Sequence, residues 1–93
     1  MAERRMFAKT IIDSDAFLEM PVSSRELYFQ LGMRADDDGF INNPIGILRL
    51  VGAGTGDIHN LMDRKFILPT ENIGIILIKH WNVNNYIQKD RYK

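Results

Sequence analysis

The sequence contains no cysteine, which removes disulfide frameworks and thiolate-based zinc sites and makes a cytosolic compartment the natural expectation. Other metal chemistry has little to work with. The two histidines, His59 and His80, stand 21 positions apart, without the close spacing that a structural metal site uses. Long hydrophobic runs are missing as well. The longest uninterrupted apolar stretch is Ile75 to Ile78, four residues, against about 18 or more for a membrane span. No apolar stretch of signal-peptide length follows the charged start at Glu3, Arg4 and Arg5. Net charge is also absent, with 12 Lys and Arg balanced by 12 Asp and Glu. That balance removes the plainest signature of a nucleic-acid binder, a strongly basic domain.

What remains is the composition of one small folded domain. With 93 residues, 45% hydrophobic and 26% charged, the chain supports a single modest core and no large catalytic cleft. Residues 1–93 read as one domain, of which 82–93 form a polar, basic tail or linker. The charges are unevenly spread. Met1 to Ile12 is basic, Asp13 to Asp38 carries seven acids against Arg25 and Arg34, and Arg64 to Lys93 carries six bases against Glu71 and Asp90. A domain so divided can present a positive C-terminal surface to phosphate and an acidic one to another partner.

Caps and periodicity give the elements. Ala8 to Ile12 reads as extended, and Ser14 caps a brief helix through Met20 that Pro21 ends. Ser23 to Glu26 has the form of a capping box for a helix from Ser24 to about Ala35, with Leu27, Tyr28, Leu31 and Ala35 on its buried face. Gly32 inside it costs about 1 kcal/mol relative to Ala. Asp36 to Gly39 is a turn, and Phe40–Ile41 supplies one or two ladder residues. Asn43 and Pro44 suit the N-cap and first position of a short helix, striped by Ile45, Leu48 and Val51 and ending at Gly52. After a tight connection Thr55 caps a further helix, with Asp57 in its positive first turn and Ile58, Leu61 and Met62 inward. Phe66–Leu68 and Ile73–Lys79 then make a hairpin across Pro69 to Asn72. Short helices around one core, closed by a C-terminal hairpin wing, predict an α+β winged helix-turn-helix.

Competing motifs fail on context. Gly52 to Asp57 resembles the glycine loop of class I methyltransferases, but a helix rather than a buried strand precedes it. The Asp36 to Gly39 turn does not fit a calcium loop, because Arg34 and Ile45 would stand at its first and twelfth positions. Ser23 and Ser24 have no histidine placed to activate them. The chain is therefore expected to be noncatalytic and to need no cofactor or metal. The outward side chains Thr55, His59, Asn60 and Arg64 carry the chemistry of base and phosphate contacts, since Asn pairs with adenine and Arg with guanine or phosphate. Lys65, Lys79 and His80 could add phosphate contacts, whereas Asp63 opposes them. The hairpin tip, Thr70 to Asn72, has no base and suits a protein better than phosphate. A hydrated helix face is the plain alternative for the first set, and the core side of the sheet is the plainer role for Ile75 to Trp81, which could otherwise pair across a dimer.

Three blocks carry a family likeness: Ala8 to Phe17, Met33 to Ile41 (Met-Arg-Ala-Asp-Asp-Asp-Gly-Phe-Ile), and Ile78 to Trp81 with Asn84 to Lys93 (Asn-Asn-Tyr-Ile-Gln-Lys-Asp-Arg-Tyr-Lys). Together they resemble the N-terminal region of phage replisome organizers, a group loosely related to DnaD-like replication initiators. The resemblance implies a winged-helix domain that binds double-stranded origin DNA and self-associates, so that a homo-oligomer is expected, in a bacterial host's cytoplasm. Helicase loading belongs to a separate C-terminal region in that family. This chain, ending at Lys93, looks like the N-terminal domain alone, and other replisome proteins would be met through the region beyond it. The turn at Gly52 to Asp57 is richer in glycine than the family's Gly-Ala-Ser-like version. On this reading Thr55, His59, Asn60, Arg64, Lys65 and Lys79 face DNA, joined by Lys89, Arg91 and Lys93 from the tail. The alternative is an oligomerisation or protein-interaction module with weak or nonspecific DNA binding, assembling through the Ile73 to Trp81 strand and the Met1 to Ile12 arm.

Overall fold

A computed structural model describes residues 6–36, 38–71, 74–79 and 81. Among them the chain forms a small α+β unit of five helices and one three-stranded antiparallel sheet. In chain order the elements are α1 (Lys9–Ile12), α2 (Asp15–Leu18), α3 (Val22–Arg34), β1 (Phe40–Ile41), α4 (Pro44–Val51), α5 (Thr55–Asp63), β2 (Ile67–Pro69) and β3 (Ile76–Ile78). None of these helices is long and apolar enough to cross a membrane.

The first turn departs from the sequence reading. Ala8 is extended, but Lys9–Ile12 is helical rather than a strand. Phe7, Ile11 and Ile12 pack against the core, and a helical turn lets the adjacent Ile11 and Ile12 both face it, whereas a strand would send them to opposite faces. Tertiary packing thus overrides the extended preference of Thr10, Ile11 and Ile12. The Phe7 ring meets Phe29 edge-on at 5.1 Å and 86°. It also lies over Gly32, where an added Cβ would come within 2.7 Å of the ring. The glycine that weakens α3 locally therefore admits an aromatic neighbour.

Ser14 caps α2 as expected, its Oγ accepting from the Phe17 amide at 3.3 Å. The capping box at Ser23 does not form. Pro21 is the N-cap, α3 starts at Val22, and the carboxylate of Glu26 accepts from Gln30 Nε2 at 2.9 Å instead of reaching back. Leu27, Tyr28, Leu31 and Ala35 make the buried face as the periodicity predicts. In α4, Asn43 Oδ1 accepts from the Gly46 amide at 3.1 Å, Pro44 stands at the first position, and Gly52 ends the helix at φ 82°. The buried side of α4 is rotated from the predicted stripe, with Leu48 buried, Ile47 against the core and Ile45 exposed.

The sheet order is β1-β3-β2. Phe40 pairs with Leu77 and Ile41 with Ile76, while Ile67, Leu68 and Pro69 pair with Ile78, Leu77 and Ile76. The paired segments are shorter than predicted, β2 is shifted by one residue, and Ile73 lies outside the described residues. Pro69 is accommodated because β2 is an edge strand. β3 is central, and its Ile76 and Ile78 are buried on the core side. Phe17 ties helices to sheet, its ring 5.3 Å from Tyr28 and 5.5 Å from Phe66.

Candidate nucleic-acid interface

α5 is held in place from both ends. At its start, the turn from Gly52 leads to Gly54 as N-cap. Asp57 at the third position accepts from the Gly54 amide at 3.0 Å, which relieves one of the orphan donors of the first turn. The same carboxylate accepts from Ser23 Oγ at 2.8 Å and Ser24 Oγ at 2.7 Å, both on α3. This explains why the serines do not cap their own helix. Inside α3 their hydroxyls face α5, and a bond to an ionised acceptor is stronger than a local bond to an amide. Burial pushes the Asp57 carboxyl upward, but the hydrogen bonds from Ser24, the Gly54 amide and Ser23 outweigh it and hold the group below the usual aspartate value.

Ser24 is fully buried and has a second partner. Its Oγ accepts from Asn60 Nδ2 at 3.0 Å while donating to Asp57. Asn60 therefore points at α3 and braces two helices, rather than joining the outward group assigned to it from sequence. Arg64 differs from expectation in the same way. Its Nη1 donates to Glu19 Oε1 at 3.1 Å and to the Ala16 carbonyl at 3.2 Å, fastening the end of α5 to α2. The Glu19 pair is open to water, with side chains 38% and 66% exposed, and such a pair is readily exchanged.

Of the remaining sequence candidates, Thr55 and His59 lie exposed on the outer side of α5, in line with Asp63. Lys65 is exposed just beyond the helix and has φ 66°, the one positive-φ residue other than glycine among the described residues. Lys79 is exposed after β3. His80, Lys89, Arg91 and Lys93 lie outside the described residues, as do Asn72 and Ile73 of the hairpin. Sequence reasoning passed over Arg49, which is exposed in the last turn of α4 beside the Gly52 connection. A base in a final helical turn was the available signal. It also missed the Ser23–Ser24–Asp57–Asn60 network, whose members are more than 30 positions apart across α3 and α5. The outer side of α5 is polar but carries no Lys or Arg between Thr55 and Asp63. Among the described residues, Arg49, Arg64, Lys65 and Lys79 are exposed cations on the segments before and after α5.

The acidic turn has a structural use. Asp36 Oδ1 accepts from the amides of Asp38 and Phe40 at 2.9 and 3.0 Å, closing the chain into β1. A shallow groove of about 390 Å³ lies beside it, lined by Asp36, Phe40, Asn42, Thr70, Glu71 and Ile75. No family model matches the chain, and neither the curated proteins nor the solved structures include a detectable match.

Proposed function

We propose that this domain is a noncatalytic winged-helix DNA-binding module of a phage or prophage replication protein, with α5 presented to duplex origin DNA. The observation that carries the reading is the sheet order β1-β3-β2 set behind the unit α4–Gly52–α5. In a winged helix, β1 follows the first core helix, the second of the paired helices enters the major groove, and β2–β3 forms the wing. The α3–β1–α4–α5–β2–β3 order here matches that plan. Thr55 and His59 are the outward side chains of α5 suited to base edges, and the exposed Arg49, Lys65 and Lys79 are assigned phosphate contacts. Arg64 joins them by exchanging Glu19 for phosphate.

Lys65 supports this reading from the backbone. A non-glycine residue in the left-handed region costs about 1 kcal/mol, and such strain tends to persist where a side chain has a task. With no base inside α5, duplex binding rests on its flanks, and specificity on few groups. Cytoplasmic action in a bacterial host and contact with other replisome proteins belong to the same proposal and rest on the family resemblance.

The test is fluorescence anisotropy with random duplex and with origin duplex, each at about 50 and 200 mM salt, a range over which phosphate contacts weaken binding steeply. Preference for origin of about 1000-fold supports specific recognition. Salt-sensitive binding without preference reduces the proposal to phosphate holding. Absence of binding at the lower salt overturns DNA recognition by this domain and leaves an oligomerisation or protein-interaction module.

A further inference from the structure

Arg64 is the C-cap of α5 and stands immediately before Lys65, yet its guanidinium is already held by α2. Glu19 Oε1 accepts from Nη1 at 3.1 Å, and the Ala16 carbonyl accepts from the same nitrogen at 3.2 Å. Glu19 is the C-cap of α2 and Ala16 lies in its single turn, where carbonyls have no partner within the helix and are open to an outside donor. Together the two oxygens give the guanidinium what a phosphodiester gives it, an anionic acceptor with a second acceptor beside it. The backbone that presents them is fixed, because Phe17 and Met20 on either side of Glu19 are buried in the core. The Glu19 carboxylate itself stays solvated, so the pair is always at hand and still weak enough to exchange.

We infer that the end of α2 is an autoinhibitory latch on α5, in which Glu19 is an intramolecular stand-in for DNA phosphate and duplex must displace it from Arg64. The inference rests on the reading of α5 as a DNA-binding helix, and it adds a competitor inside the chain. Arg64 reaches a phosphate only by leaving an acceptor of the same charge, so part of the attraction is cancelled in advance. An exposed pair contributes little, and the latch therefore damps binding without blocking it. Because the contact in dispute is to the DNA backbone, random and origin duplex are damped alike. The coupling is reciprocal: whatever strengthens the hold of Glu19 on Arg64 weakens DNA binding by the same factor.

Glu19→Gln tests it, since the amide keeps the size and an acceptor oxygen but loses the charge. Binding of the full chain to random duplex is read by fluorescence anisotropy at about 100 mM salt, where charges more than about 10 Å apart are largely screened. Glu19→Gln is expected to tighten binding about threefold, the scale of an exposed ion pair. Asp13→Asn, the same change of net charge at another exposed acid, leaves affinity nearly unchanged. In an Arg64→Ala background the gain from Glu19→Gln disappears, because the two residues are coupled. Circular dichroism melting checks that each variant remains folded. Equal effects of Glu19→Gln and Asp13→Asn, or a gain that persists in full without Arg64, overturn the latch and leave the DNA reading standing. Absence of binding by wild type and Glu19→Gln alike overturns the DNA reading and the latch with it, whereas binding by Glu19→Gln alone supports both.

Discussion

α3 is flanked by two interfaces built in opposite ways. Toward α5 it offers hydroxyls, and the contact is a network in which Ser23 and Ser24 converge on the Asp57 carboxylate while Asn60 donates to Ser24. Toward α1 and α2 it offers rings, with Phe7 and Phe17 packed edge-on or tilted against Tyr28 and Phe29. Apolar burial is large but non-directional, whereas a hydrogen-bond network admits few relative orientations of the helices it joins. The aromatic side supplies stability, and the polar side fixes how α5 is aimed. The helix whose direction matters for the proposed function is the one held by directional bonds.

Breaking the aromatic side gives the largest effect. Phe17 is nearly fully buried and its ring touches Tyr28, Phe29 and Phe66. Phe17→Ala is expected to lower unfolding free energy by about 3–5 kcal/mol, read from urea melts. A loss below about 1 kcal/mol would mean that this side is not the main source of burial stability.

Breaking the polar side costs less but changes the pH response. Asp57→Asn keeps the shape and removes the charge that strengthens three hydrogen bonds, so a loss of about 1 kcal/mol is expected at neutral pH, moderated because the carboxylate is partly open to water. The folded-state pKa of Asp57 is depressed. Its contribution is therefore complete above the unfolded aspartate value of about 3.9 and is lost as pH falls through the lower folded value. Wild type and Asp57→Asn should converge in stability as pH drops through that window. Parallel curves from pH 7 down to about 3 would show that the charge is not what the network uses.

The same contrast explains what the sequence disclosed. Asn43, Pro44 and Gly52 fixed the ends of α4 because each acts through its own backbone or that of a residue three or four away. The hairpin was legible from β-branched runs between turn residues, and its pairing with Phe40–Ile41 from the order of elements in a winged helix. Ser23 and Ser24 also looked like local caps, but their acceptor is 34 and 33 residues distant, and spacing cannot register it. The outward group on α5 was misjudged for a related reason. Helical periodicity identifies the side away from the core, yet Asn60 and Arg64 lie at its margins, where partners on α3 and α2 draw them in. Lys9–Ile12 is helical where Phe7, Ile11 and Ile12 pack against a core assembled from distant elements, which the local sequence does not register.

Lys65 sharpens the comparison at the smallest scale, since it lies immediately beyond the helix that the polar network orients. Glycine adopts φ 66° without the steric penalty that a lysine meets there. Lys65→Gly should remove about 1 kcal/mol of folded-state strain while adding a comparable or smaller unfolded-state entropy cost, so net stability changes by less than about 1 kcal/mol. DNA affinity should nevertheless fall alike for random and origin duplex, with the salt slope reduced by about one charge. Because the two readouts move independently, the variant separates backbone from charge: a folded protein with unchanged salt slope would remove Lys65 from the phosphate contacts and leave its left-handed backbone as a feature of chain reversal into β2.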